Sequence, residues 1–449
     1  MKPKSAFSKK YLLMMLCYLI GSSTLSMIAP ILPYQMKEKG IPESYNSIIF
    51  AIFAVAGFIA SLVCGKYLST FGPKVFIYGG LLLFSAAHYQ FSLLELINSP
   101  ILFVTLAIIA RIWEGISYGV IQSTTYGISS QELPPTEFDK YARSNSTAAG
   151  LGGGCALILG SFLFSLGGYM MPYFVLGSTF LFLAILIYVT NSMVESTDPD
   201  DLDNDYYVPL KNTVTTPEIS SLYDSEHVIS HKLAFSFSSV RWGWASIVLS
   251  NVWATFLDPI MALKLSEYGI MADKSGYIFI FYVLSYSLFG ILGGVMKRFA
   301  ENRNLILCGY IVGFFTFWLI GHQLIIGTNI LALIMIGLFF NGLSWVFHNM
   351  FATMYVKAEL MEIALFYNIH KDEVGGYFGG LKGSCNLLGY FLGPLISPYL
   401  YVYFGFETAC IWLAVFQLIF FAIFFYGTSD YKHPQYRKMS DDSINTVDV

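Results

Sequence analysis

Arg111 and Glu114 stand one helical turn apart inside the apolar run 101–130. The chain is 55% hydrophobic and only 12% charged, so each charge at such depth needs a physical reason. In a lipid-spanning helix an ionisable side chain costs about 2.5 to 3.5 kcal/mol, and it survives where it faces a bundle interior or a water-filled path. The pair therefore marks a polar space inside a membrane protein. Its chemistry is either that of an ion pair that fixes packing or that of a group handling a solute or a proton. Arg111, Glu114, Tyr118, Gln122 and Thr125 follow steps of three and four and form one inward-looking stripe.

Three further segments carry polar groups at helical spacing. One offers Asn251, Thr255 and Asp258, with Trp253 and Lys264 elsewhere on it; a second offers Asn341, Ser344, Trp345 and His348; a third offers Lys382 and Asn386. Asp258 has no evident partner in its own helix, since Lys264 lies six residues on and can snorkel to an interface. A carboxylate without a counter-charge at that depth is a candidate for proton exchange. Lys382 is a candidate counter-ion to Asp258 or Glu114. Trp253 and Trp345 are candidates for stacking on a cationic group, with core filling as the alternative. For His348 the alternative is a hydrogen-bonded packing histidine.

The elements that position these residues follow from hydropathy. A length of 449 residues, 17% aromatics and a mean hydropathy of +0.60 exclude an ordinary soluble domain. Twelve apolar spans are expected, near 11–34, 46–68, 75–94, 101–129, 140–165, 170–192, 241–265, 275–296, 304–322, 329–355, 374–402 and 406–427. All should be α-helices, because lipid offers backbone groups no other partner. The first span is too long for a signal h-region and no small-residue cleavage site follows it, so it reads as a retained span.

With the N-terminus inside, the inner segments hold 19 of the 25 basic residues, among them Lys9, Lys66, Lys74, Lys297 and Arg303. The outer loops hold Lys37, Lys39 and Lys274, and Arg111, Lys264 and Lys382 fall within spans. Both termini, 1–10 and 428–449, are therefore expected in the cytoplasm. The formal net charge of −4 is local in origin: residues 193–232 hold nine carboxylates against Lys211 and Lys232. The segment 193–240 reads as a disordered acidic cytoplasmic linker between bundles at 11–192 and 241–427. Within it Tyr207-Val-Pro-Leu210 fits a tyrosine-type sorting signal. All six cysteines fall inside predicted spans, which argues against a disulfide framework. The sequon at Asn145 lies near an inner helix end and should be unused.

The halves echo each other. Ala29-Pro30-Ile31 corresponds to Asp258-Pro259-Ile260, and the ten-residue spacing of Gly150 and Gly160 recurs in Gly383 and Gly393. Paired spacing of this kind points to parallel repeats.

With these residues in view, the chain resembles the major facilitator superfamily over nearly its whole length, and within it the vesicular amine transporter branch, especially polyamine-transporter-like members. The matching stretches are Ile28-Ala-Pro-Ile-Leu-Pro-Tyr34 leading to Glu38-Lys-Gly40, Arg111-Ile-Trp-Glu-Gly115 with Ser129-Ser-Gln-Glu-Leu-Pro134, and Gly150-Leu-Gly to Gly167-Gly-Tyr-Met-Met-Pro172. Phe256-Leu-Asp-Pro259 and Gly389-Tyr-Phe-Leu-Gly-Pro394 also fit. The resemblance implies two six-helix bundles rocking about a central site lined by spans one, four, seven and ten. It also implies proton-coupled antiport of an organic cation.

There are departures. Ser69 and Thr70 occupy the charged places of the family's loop motif in Gly65-Lys-Tyr-Leu-Ser-Thr-Phe-Gly-Pro-Lys74, so the usual charge relay there is in doubt. Asp258 replaces the branch's Glu, span one offers only Ser22, Ser23 and Ser26 where monoamine-type members have an acid, and span eleven carries Lys382. A monoamine substrate is therefore disfavoured.

The resulting expectation is an all-α secondary active transporter for a small organic solute, a cationic amine or polyamine, coupled to protons. Glu114 and Asp258 would exchange protons, with Arg111 tuning Glu114 and Tyr118, Trp253 or Trp345 stacking on substrate. The alternatives are an anionic or zwitterionic solute held by Arg111 and Lys382, and a non-transporting receptor or scaffold. No enzymatic motif, cofactor or metal cluster is evident. The expected partners are the solute, protons and the bilayer, without nucleic acid, in a monomer. A vesicular or other endomembrane is the expected location ahead of the plasma membrane.

Overall fold

A computed structural model describes residues 8–42, 44–190, 229, 231–270, 272–327, 330–367 and 369–429. Among these, nine helices are long and apolar enough to cross a bilayer: one carries spans two and three together, and the others carry spans one, four to six and nine to twelve. Spans seven and eight complete the twelve. Span seven is delivered as Ser238–Phe256 followed by Asp258–Ser266, and span eight as Ala272–Met296. The acidic segment up to residue 228, with Tyr207-Val-Pro-Leu210, lies outside the described residues, as do the tail from 430 and residues 1–7. The linker expected to reach 240 ends earlier, because His231–Ser236 is helical and span seven starts at Ser238.

Two breaks are written in the sequence. Ser44–Leu93 is one continuous run except at Gly72, whose φ of 72° lies in the left-handed region that favours glycine. Pro73 then starts span three, where its missing N–H costs nothing. Pro259 likewise interrupts span seven, and the chain bends at Leu257 so that Asp258 opens a second, nine-residue helix. A carboxylate in a first helical turn is favoured by the helix dipole.

The amino-terminal six spans and the carboxy-terminal six form two bundles that meet along glycine seams. Span eleven (Lys371–Phe404) lies against spans two and four, where a β-carbon at Gly380 would stand 2.9 Å from Gly65 Cα and 3.0 Å from Ser61 O. Span five (Pro135–Gly167) meets span eight, where a β-carbon on Gly154 would stand 2.9 Å from Val283 Cγ1. Small residues let helices approach closely enough for such contacts. At the ends of these helices Lys297 pairs with Asp139 across the halves, and the Lys357 ammonium sits 4.6 Å from the Phe138 ring centroid. Lys357, expected in an inner loop, is 3% exposed because span ten continues to Tyr367. The bundles thus close on the face that carries Lys10, Glu132, Asp139 and Lys297.

Gly380→Val should force this seam apart. The expected readout, in a background without native cysteines, is that a cysteine placed at Ser123, a fully buried position in the seam, becomes reactive to a membrane-impermeant maleimide. Unchanged labelling would show that the seam does not hold this closure.

Candidate functional site

The stripe on span four divides on folding. Arg111 and Glu114 are each 1% exposed and point into the amino-terminal bundle itself, against spans two, three and six. Arg111 Nη1 donates to Glu114 Oε2 at 2.5 Å and Nε donates to the Ile49 carbonyl at 3.3 Å, while the guanidinium covers the Phe53 ring at 4.5 Å. The other carboxylate oxygen, Oε1, lies 3.2 Å from His88 Nε2 of span three. His88 is 1% exposed and escaped the sequence reading. It is one polar residue in span three, with no second charge at helical spacing to single it out.

Tyr118 and Gln122, further along the stripe, look instead toward the boundary between the halves. Tyr118 stacks on Tyr18 of span one at 6.0 Å, and Gln122 Nε2 donates to the Tyr18 hydroxyl at 2.5 Å. Tyr118 is within hydrogen-bonding range of Tyr390 of span eleven. Across from them Trp345 lies on Tyr286 at 4.2 Å and on Tyr282 at 5.5 Å. The boundary is therefore lined by aromatic rings from both bundles.

A second polar cluster lies in the carboxy-terminal half. Lys382 is fully buried, and its ammonium donates to Asn349 Oδ1 at 2.8 Å and Asn386 Oδ1 at 3.2 Å. Asn251 Nδ2 donates to Asn386 Oδ1 at 2.9 Å, and Asn251 Oδ1 accepts from Trp345 Nε1 at 3.2 Å and Asn349 Nδ2 at 3.3 Å. The Lys382 ammonium also stands 5.6 Å from the Tyr126 ring of span four. Lys382 is thus placed as counter-ion to neither Asp258 nor Glu114. Glu114 is taken by Arg111 and His88, and Asp258 lies seven residues beyond Asn251, about 10 Å along the helix at 1.5 Å per residue.

Two expected site residues turn away from the boundary. His348 lies against Tyr310 of span nine, with ring centroids 4.2 Å apart and planes tilted by 57°, and stands 3.4 Å from Ser344 Oγ, so it packs inside the carboxy-terminal bundle. Trp253 is 5% exposed and lies 6.3 Å from Phe420 of span twelve. Residues four apart share a helix face, so Ser344 and His348 look one way while Trp345 and Asn349 look another. Asn349, inside a six-residue π-helical segment (Val346–Phe351), is the residue the sequence reading passed over. Lys264 does not snorkel: it is 2% exposed and bonded to Glu267 at 2.6 Å, Gln323 at 2.8 Å and Glu407 at 2.5 Å.

Asp258 differs from every other deep charge. It is enclosed by protein, yet its side chain is solvent-exposed while Phe256, Leu257 and Ile260 beside it are buried. This combination belongs to a group lining a cleft. No hydrogen bond or ion pair to it occurs among the described residues, and the Tyr282 hydroxyl is within its electrostatic range. The six cysteines are free, with Cys155 and Cys308 on exposed surfaces and Cys17, Cys64 and Cys410 buried.

Two six-helix bundles with a broken helix, an open carboxylate and aromatic rings at their boundary define the class of secondary transporters with inverted or parallel repeats. The sequence model of the Major Facilitator Superfamily matches residues 14–379, and the chain belongs to that family. It is 24% identical over 403 residues to the MFS-type transporter SLC18B1 of Homo sapiens, covering 88% of this chain and 79% of the relative. It is 24% identical over 390 residues to the quinolone resistance protein NorA of Staphylococcus aureus strain MRSA252, covering 84% of this chain and 86% of the relative. The fold matches the crystal structure of the human organic anion transporter MFSD10 (TETRAN) with a TM-score of 0.65 at 15% identity, covering 92% of this chain and 98% of that one. The protein is a multi-pass membrane transporter, and it resembles the vesicular amine branch.

Proposed function

We propose that the protein exchanges protons for a small organic cation, an amine or polyamine, with Asp258 as the carboxylate that alternates between the two. The observation that carries this reading is the open Asp258 at the break in span seven, with no hydrogen bond or ion pair to it among the described residues and with Tyr282, which stacks on Trp345, within its electrostatic range. A carboxylate with no protein counter-charge is free to pair with an incoming ammonium, and aromatic faces attract cations by about 0.5 to 2 kcal/mol. Protonation then removes the charge and releases the amine. The basic residues gathered on the closed face support a cytoplasmic placement of that face and of both termini. With that placement the conformation is closed to the cytoplasm and open to the lumen or exterior.

An anionic solute has weaker support. Arg111 is neutralised by Glu114 and sealed inside a bundle, which leaves Lys382, a buried cation bonded to amide oxygens, as the observation in its favour.

The test is uptake by the purified protein in proteoliposomes with an imposed pH gradient, using a panel of monoamines, polyamines and organic anions. Uptake of amines that collapses with a protonophore is the expected result. Uptake of anions alone, or amine uptake indifferent to the gradient, would overturn the reading.

A further inference from the structure

The geometry points to a proton held between His88 Nε2 and Glu114 Oε1, so that the amino-terminal proton site is this pair and not the Glu114 carboxylate alone. The far ring nitrogen of His88 fixes the tautomer. His88 Nδ1 lies 2.9 Å from the Phe84 carbonyl oxygen, which can only accept, so Nδ1 carries a hydrogen. In a neutral imidazole Nε2 is then a bare lone pair. That lone pair stands 3.2 Å from Glu114 Oε1, off the line of a straight hydrogen bond, and has no other partner. Two acceptors facing each other inside a protein, both 1% exposed, repel unless a proton lies between them. Whether it is written on the ring or on the carboxyl, one proton satisfies both groups.

Arg111 sets the charge arithmetic. With the proton the three side chains sum to +1, and without it they sum to zero. The other titratable groups recorded around the pair are Tyr169 and Tyr173, at the start of span six, whose buried hydroxyls lie within hydrogen-bonding range of each other and within electrostatic range of Glu114. Beyond Tyr169 lies Glu95, whose Oε2 accepts from Met170 N at 2.9 Å and which is partly exposed on the face opposite the closed seam. Span two contributes the Ile49 carbonyl to Arg111, and span one contributes no recorded titratable group. The polar row Glu95, Tyr169, Tyr173 thus runs from that face to the pair. The transport consequence rests on the proton-coupled reading; the shared proton itself does not.

The test uses the full chain in lipid nanodiscs without substrate. Nitrogen-15 NMR of labelled histidine through a pH series identifies the His88 resonance by its loss in His88→Gln. The expected result is that this resonance titrates and that its midpoint moves by about one unit or more in Glu114→Gln, as for coupled sites. Infrared difference spectra should show a protonated-carboxyl band that is absent from Glu114→Gln and shifts its midpoint in His88→Gln. A His88 resonance indifferent to Glu114→Gln, or a Glu114 band indifferent to His88→Gln, would overturn the proposal. If Glu114→Gln does not fold, the band in wild type and His88→Gln decides alone. A shared proton in a protein whose uptake ignores the pH gradient would refute the coupling and leave the pair standing.

Discussion

Asp258→Asn should abolish gradient-driven amine uptake while leaving the fold intact. The carboxylate has no hydrogen bond or ion pair among the described residues, so the amide strands nothing when it replaces the acid. Its exposure in a cleft means that the new amide is solvated. What is lost is the counter-charge for the solute. Removing one partner of a desolvated charge pair costs about 2 to 5 kcal/mol, which is on the order of 30-fold or more in affinity. Net uptake and substrate exchange should fall together if, as proposed, the same group binds proton and amine. Asp258→Glu, which keeps the charge on a longer arm, should retain measurable exchange. The check is uptake and counterflow in proteoliposomes beside thermal unfolding of the same preparations. Wild-type uptake by Asp258→Asn would remove the central assignment.

Arg111→Leu should act oppositely, on folding first. Glu114 is 1% exposed, and without the guanidinium its carboxylate keeps His88 as its one ion-pair contact among the described residues. Leaving a buried charge without its partner costs about 3 to 5 kcal/mol, comparable to the whole margin of many proteins. The variant should therefore yield little folded protein. The double variant Arg111→Leu with Glu114→Leu should recover much of that loss, since apolar groups of similar volume often replace a buried pair without penalty. Arg111→Lys should fall between, because an ammonium cannot span Glu114, the Ile49 carbonyl and the Phe53 face together. Thermal stability in detergent separates the cases, and a double variant no more stable than Arg111→Leu would show that the pair is not the stabilising unit. Uptake by a folded double variant then tests whether the pair also serves transport.

Arg111 and Glu114 were legible as a pair because a three-residue spacing in a helix brings side chains together whatever surrounds them. Their surroundings were not legible. The same stripe that looks continuous on a helical projection meets span three at Glu114 and the opposite bundle at Tyr118, and no local pattern tells where one neighbour ends. His88 and Asn349 were missed for a related reason: the charged partner of each lies on another helix, 26 residues away from His88 and 33 from Asn349. His348 and Trp253 were placed at the boundary because they share segments with residues that are there, and helix rotation turned them away.

By itself the sequence determined the class of protein. Long apolar runs in lipid must be helices, the runs number twelve, and the glycine spacing repeats between halves. These follow from local chemistry: the hydrophobic effect and the backbone's need for hydrogen bonds. Only the tertiary structure decided which charges meet. It put Glu114 between Arg111 and His88, gave Lys382 to Asn349 and Asn386, and left Asp258 open. The physical reason is that electrostatic partnership depends on distance and enclosure between helices far apart in the chain.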